Sequence, residues 1–126
     1  MATVKEIGEK LVAACREGRD EEALRTLFSE NVVSVEAQGG PEMPAVMEGL
    51  DAVRKKGDWW RANHEVHRHD AKGPFPNNDR FAVIFNYEVT PKIGPMAGRR
   101  IQMEEVALYT VKDGKIVREE FFYSMG

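Results

Sequence analysis

From Arg80 to Thr90 every odd position is apolar or aromatic (Phe81, Val83, Phe85, Tyr87, Val89), while the even ones mix Ala82 and Ile84 with Asn86, Glu88 and Thr90. Strict alternation of this kind predicts a half-buried β-strand. The same period runs through Ile101 to Val111, with Ile101, Met103, Ala107, Tyr109 and Val111 on the odd side, and through Val117 to Tyr123, with Val117, Phe121 and Tyr123. One acid interrupts each of these stripes, Glu105 in the first and Glu119 in the second.

The N-terminal half follows a different period. Val4, Ile7, Leu11, Ala14 and Cys15 recur at helical spacing behind a Thr3/Glu6 capping box and stop at Gly18. Asp20 is placed to cap a second, short helix whose buried stripe is Ala23, Leu24, Leu27 and Phe28. Asn31 to Ala37 reads as a strand from its β-branched Val32, Val33 and Val35, closed by Gln38-Gly39-Gly40-Pro41. Asp51 to Asn63 predicts a third helix, with Val53, Lys56 or Gly57, and Trp60 along one side. Glu65 to Lys72 predicts a strand ended by Gly73-Pro74-Phe75-Pro76-Asn77-Asn78-Asp79, and Pro91 to Gly98 a turn-rich loop. Helices followed by four consecutive strands imply an α+β layout in which helices cover one face of a curved, mainly antiparallel sheet.

Whether Glu105 and Glu119 share a face depends on the turn at Lys112-Asp113-Gly114-Lys115. A two-residue turn pairs Tyr109 with Arg118 and sends the two acids to opposite faces. A three-residue loop pairs Tyr109 with Val117, Ala107 with Glu119 and Glu105 with Phe121, gathering Met103, Ala107, Tyr109, Val117, Phe121 and Tyr123 on one side. Register follows the hydrophobic pattern, so the three-residue loop is expected. Glu105 and Glu119 are then diagonal neighbours about 7 to 8 Å apart.

The chain has 126 residues and a net charge of -3, with Lys and Arg spread along it, so it is read as one domain over 1–126 with no basic patch for nucleic acid or membranes. The one cysteine, Cys15, reads as a small core residue in a reducing compartment. With no signal segment and no apolar run of membrane-spanning length, the expected location is the cytoplasm.

A carboxylate among apolar and aromatic neighbours is expected to bind its proton more tightly, and a second one nearby adds to the effect. The pair Glu105 and Glu119 therefore suits general acid and base work, with Tyr109 and Tyr123 on the same face as hydrogen-bond donors to a developing enolate. His67, two residues from His69, is a further acid or base, or a hydrogen-bond partner. No metal is expected, because no carboxylate follows the histidines at ligand spacing. Arg54-Lys55-Lys56 and Arg99-Arg100 read as solvated surface, Glu88 fits the polar side of its strand, and Trp59 is placed at a rim while Trp60 packs in phase with Val53.

The element order, with Gly49-Leu50-Asp51-Ala52-Val53 opening the third helix and Asp113-Gly114-Lys115-Ile116-Val117 at the last hairpin, resembles the SnoaL-like branch of the nuclear transport factor 2-like superfamily. The runs Gly73-Pro74, Asp79 to Val83, Met103 to Val106 and Glu119 to Tyr123 are similar to those of ketosteroid isomerase-related proteins. The resemblance implies a cone-shaped fold, three N-terminal helices on a curved sheet, a pocket between them for a small apolar molecule, and commonly a homodimer built on the outer sheet face. Members include isomerases, polyketide cyclases, dehydratases, epoxide hydrolases and proteins with no chemistry at all. Ketosteroid isomerase takes a tyrosine from its first helix, and Val4 to Glu17 contains none, nor does Tyr123-Ser124-Met125 bring the acid many relatives carry there. A pocket carries over, not a reaction. The combined expectation is a cofactor-independent isomerase, cyclase or dehydratase with Glu105 as base, Glu119 or Tyr123 as its partner and His67 in support. The substrate would be lined by Tyr109, Met103, Phe121, Trp59, Tyr87 and Phe85. The alternative is a non-catalytic ligand-binding or partner-binding module using the same pocket.

Overall fold

A computed structural model describes residues 1–40 and 43–124; Pro41, at the end of the glycine cluster, and Met125 lie outside the described residues. The expected capping box is formed. The Glu6 amide donates to Thr3 Oγ1 and the Thr3 amide to Glu6 Oε1, both at 3.1 Å, and α1 (Val4–Arg16) starts there. Asp20 does not cap α2 (Asp20–Leu27): Arg19 holds the cap position without a side-chain bond. Asp20, Glu21 and Glu22 instead fill the first turn, where negative charge meets the positive end of the helix dipole.

β1 (Phe28–Val35) follows α2 directly, so its strand begins earlier than the run of valines suggests. A three-residue strand, β2 (Val46–Glu48), then precedes α3 (Leu50–Ala62); its sequence is too short to show a period. The remaining strands are β3 (His64–Asn77), β4 (Arg80–Pro91), β5 (Ile101–Lys112) and β6 (Lys115–Phe122). They form one six-stranded sheet in the order β2-β1-β6-β5-β4-β3, antiparallel except for the β1–β6 pair. The helices pack on one face, and Ile7, Leu11, Val32, Phe81, Val83, Ala107 and Ile116 fill the space between. Here α1 runs close to the sheet because residue 8 is glycine: a Cβ there would stand 2.6 Å from the Pro74 Cβ.

The last hairpin differs from expectation. Lys112 pairs with Lys115 across a two-residue turn, with positive φ at both Asp113 (52°) and Gly114 (77°). Yet the acids keep a common face, because the register shifts one step later: Val111 faces Ile116 while Thr110 faces Arg118. Val117 is the extra residue of a β-bulge, and beyond it Tyr109 faces Glu119 and Ala107 faces Phe121. The two glutamates are not diagonal neighbours. Glu119 is opposite Tyr109, four positions from Glu105, or roughly 13 Å of strand.

β3 also runs further than its sequence suggests. It does not end at Lys72 but continues through Gly73 and Pro74 to Asn77, absorbing them in a register shift between Lys72 and Phe75. A second shift, between Val66 and Arg68, takes His67 out of the alternation. Among the described residues no helix is long and apolar enough to cross a membrane.

Candidate functional site

On α3, Val53, Lys56 and Trp60 recur at three and four residues, so all three face the sheet. Lys56 therefore arrives over β1 and β6 instead of in solvent, and the reading of Arg54-Lys55-Lys56 as wholly solvated fails at its third member. Its side chain is 13% exposed. Its Nζ donates to Ser34 Oγ, lies 3.5 Å from both Glu36 Oε1 and Glu119 Oε1, and sits 4.3 Å from the centre of the Phe121 ring. Ser34 in turn donates to Glu119 Oε1 at 2.8 Å. Alternation on β1 puts Ser34 and Glu36 on the inner face after Val32, and the parallel ladder sets Ser34 opposite Glu119. Ser34 is 0% and Glu119 5% exposed, so the ion pair stands out of water and Glu119 relies on these two partners. Glu36 Oε2 is buried and has no hydrogen-bond partner among the described residues.

Glu105 stands apart from this network. It faces Phe85 on β4 and makes no hydrogen bond or ion pair with the described residues. Burial, with the Glu36 charge adding to it, pushes its carboxyl up to about 7; Lys56 opposes the shift and Glu119 adds a smaller part. Burial also raises the Glu119 carboxyl, against the pull of Lys56 and the Ser34 hydroxyl. Tyr123, just past the end of β6, has its phenol pKa raised by burial and then by the Glu36 charge, with Glu105 contributing.

The aromatic residues divide. Tyr109 and Phe85 are core: Tyr109 is 3% exposed, stacks on Phe81 at 4.9 Å and meets Phe28 edge-on. Tyr87 faces Met103 across β4–β5 and touches Trp60 at 5.1 Å. Phe121 carries the Lys56 ammonium, and Trp59 is half-buried on α3. Trp60 stacks on His64 at 4.4 Å.

His67 does not belong to this face. The bulge turns it to the outer side, where His67 Nε2 and the Thr90 hydroxyl share a hydrogen bond of 2.7 Å and Glu65 lies 4.0 Å away. His69, opposite Tyr87, stays on the inner side, so the two histidines do not point the same way. Glu88 is on the outer face, bound by Arg100 at 2.7 Å. Among the described residues no group of three or more His, Cys, Asp or Glu is disposed to hold a metal ion.

Sequence reasoning missed Lys56, Ser34 and Glu36. The signals were present: a lysine in phase with Val53 and Trp60, and a serine and an acid in alternation with a buried valine.

Two hollows of about 190 Å³ each lie outside the cluster. One is between α1 and α2, around Lys10, Ala14 and Ala23. The other is on the sheet, around Arg68, Asp70, Asn86 and Glu88, and it includes Tyr87 and Met103 of the expected lining together with His69.

Residues 2–123 match the SnoaL-like domain model. The chain belongs to the SnoaL-like family. Among solved structures it is 41% identical to a candidate SnoaL-like polyketide cyclase from Mesorhizobium loti, with a TM-score of 0.88 over 97% of this chain and 100% of that one. A nuclear transport factor 2-like protein from Burkholderia thailandensis has 18% identity and a TM-score of 0.79, covering 98% of this SnoaL-like chain and 92% of its own. A Catenulispora acidiphila protein of ketosteroid isomerase-like fold has 22% identity and a TM-score of 0.72, covering 98% and 88%. These last two share the fold alone. No curated protein matches the chain.

Proposed function

We propose that this SnoaL-like protein is a cofactor-independent acid–base catalyst whose general base is Glu105. It would act on a small, largely apolar carbonyl compound by isomerisation, cyclisation or dehydration. The observation that carries the reading is the state of Glu105: a carboxyl in an aromatic environment, without a partner among the described residues and pushed up to about 7. A group with that affinity takes a proton from carbon next to a carbonyl and returns it elsewhere on the same molecule, both near neutral pH. Tyr123 would steady the enolate oxygen. The name of the Mesorhizobium loti relative joins polyketide cyclase, which is consistent with this chemistry, to carbohydrate phosphatase, which is not.

Deuterium exchange tests the proposal. Cyclic enones and linear 1,3-diketones incubated with the protein in D₂O should gain deuterium next to the carbonyl faster than with Glu105→Gln. Carboxyl NMR of Glu105 should show a midpoint near 7; an ordinary carboxylate midpoint overturns the assignment as base.

A second reading, a non-catalytic small-ligand or partner-binding module, is favoured by the hollow that Tyr87 and Met103 help to line, since Glu105 is not in its lining. It predicts binding without exchange for both the parent protein and Glu105→Gln.

We also propose that the outer sheet face pairs two copies of the chain. Phe122, Val106 and Ile84 form a cross-strand apolar row there, with Phe75 and Leu108 beside it; Phe122 is 51% and Phe75 53% exposed. A twofold axis through the row sets the apolar residues of each copy against those of the other, which is the self-complementarity an isologous dimer needs.

A further inference from the structure

We propose that Lys56 is the positioning residue of this site: its ammonium ties Glu36 of β1 and Glu119 of β6 to α3 and leaves Glu105 as the carboxylate free to exchange a proton with a bound molecule. The assignment rests on Glu105 being the base, and it adds the residue that governs how readily that base gives up its proton.

The geometry sets the division of labour. The Lys56 ammonium donates to Ser34 Oγ, stands 3.5 Å from Glu36 Oε1 and from Glu119 Oε1, and lies over the Phe121 ring. Glu105 is not among these contacts and feels Lys56 through space. With its side chain 13% exposed, Lys56 is poorly screened by salt, so that distant influence is felt. The charged and titratable groups acting on Glu105 come from three elements: Glu36 from β1, Glu119 from β6 and Lys56 from α3. Glu105 in turn acts on Tyr87, Tyr109 and Tyr123. Lys56 is the one cation among them. Each carboxylate it neutralises is one fewer negative charge pressing a proton onto Glu105.

The test follows the carboxyl carbon of Glu105 by NMR through a pH titration in the parent protein, in Lys56→Met and in Lys55→Met. Methionine keeps an unbranched apolar side chain on α3 and removes the charge; Lys55 is exposed and serves as the control. The Glu105 midpoint should rise by about one pH unit in Lys56→Met, a tenfold weaker acid, and stay in place in Lys55→Met. A midpoint in Lys56→Met equal to that of the parent overturns the proposal, as does an equal rise in both variants. Should Lys56→Met not fold, the parent protein decides: the ¹⁵N resonance of the Lys56 ammonium should bend at the Glu105 midpoint, and a flat trace there overturns the proposal. Both readouts compare Lys56 with Glu105 wherever the parent midpoint lies. A parent midpoint in the ordinary carboxylate range therefore removes Glu105 as base, whereas an unmoved midpoint in Lys56→Met removes only the role of Lys56.

Discussion

A proton that Glu105 holds more tightly in the folded chain than in the unfolded one makes stability depend on pH. Between its ordinary value of 4.5 and about 7 the folded chain keeps the proton and the unfolded chain has lost it. Stability from this group is thus fully present below 4.5, falls as pH rises through that window and is gone above about 7. The full shift corresponds to about 3 kcal/mol, reduced by whatever water reaches the carboxyl. Glu105→Gln should consequently show a flatter pH dependence and exceed the parent in stability at pH 8 by on the order of 1 to 2 kcal/mol. Urea midpoints for both proteins at pH 5 and pH 8 measure it; a parent that loses no more than the variant contradicts the burial of this charge. At this scale Glu105 and Glu119 were legible because each interrupts an apolar alternation. Lys56 was legible only in its phase with Val53 and Trp60, a signal outweighed by the basic run Arg54-Lys55-Lys56, which reads as solvated surface. Glu36 was hidden because its partners come from a helix and a strand far along the chain.

The elements most visible in the sequence were those with a long, regular period, namely α1, β4 and β5. What escaped were interruptions of a period. Val117 is the clearest case: the turn residues Asp113 and Gly114 follow ordinary two-residue chemistry, and the burial of Glu119 is decided by a bulge that no turn signal announces. Deleting Val117 should therefore remove the bulge and keep the site: Ile116 then leads directly to Arg118, which still faces Thr110, and Glu119 still faces Tyr109 on the inner side. We expect the deletion variant to fold and its Glu105 midpoint to match that of the parent in the same carboxyl titration. A midpoint moved by about one pH unit contradicts the observed register. The bulge at His67 is a similar case, since it moves a histidine that alternation assigns to the inner face onto the outer one.

For the molecule as a whole, the α+β order and the sheet were legible because helical and strand periods occupy different halves of the chain. The position of β1 was not. It pairs in parallel with β6, and no local pattern specifies a partner so distant. The apolar row of the outer face predicts that Phe122→Asp shifts the protein from dimer to monomer in sedimentation velocity while leaving Glu105 exchange intact at high protein concentration. A parent protein that sediments as a monomer removes the proposed pairing. The β1–β6 ladder also has a consequence for synthesis. The Ser34–Glu119 bond joins residues 85 positions apart, so a chain emerging from the ribosome carries Ser34, Glu36 and Lys56 long before their counterpart exists. Until β6 docks, that end of β1 is an unpaired edge with a lysine and an acid above it, both still hydrated. The network around Glu119 thus waits for β6, and a nascent fragment that lacks this strand lacks the network.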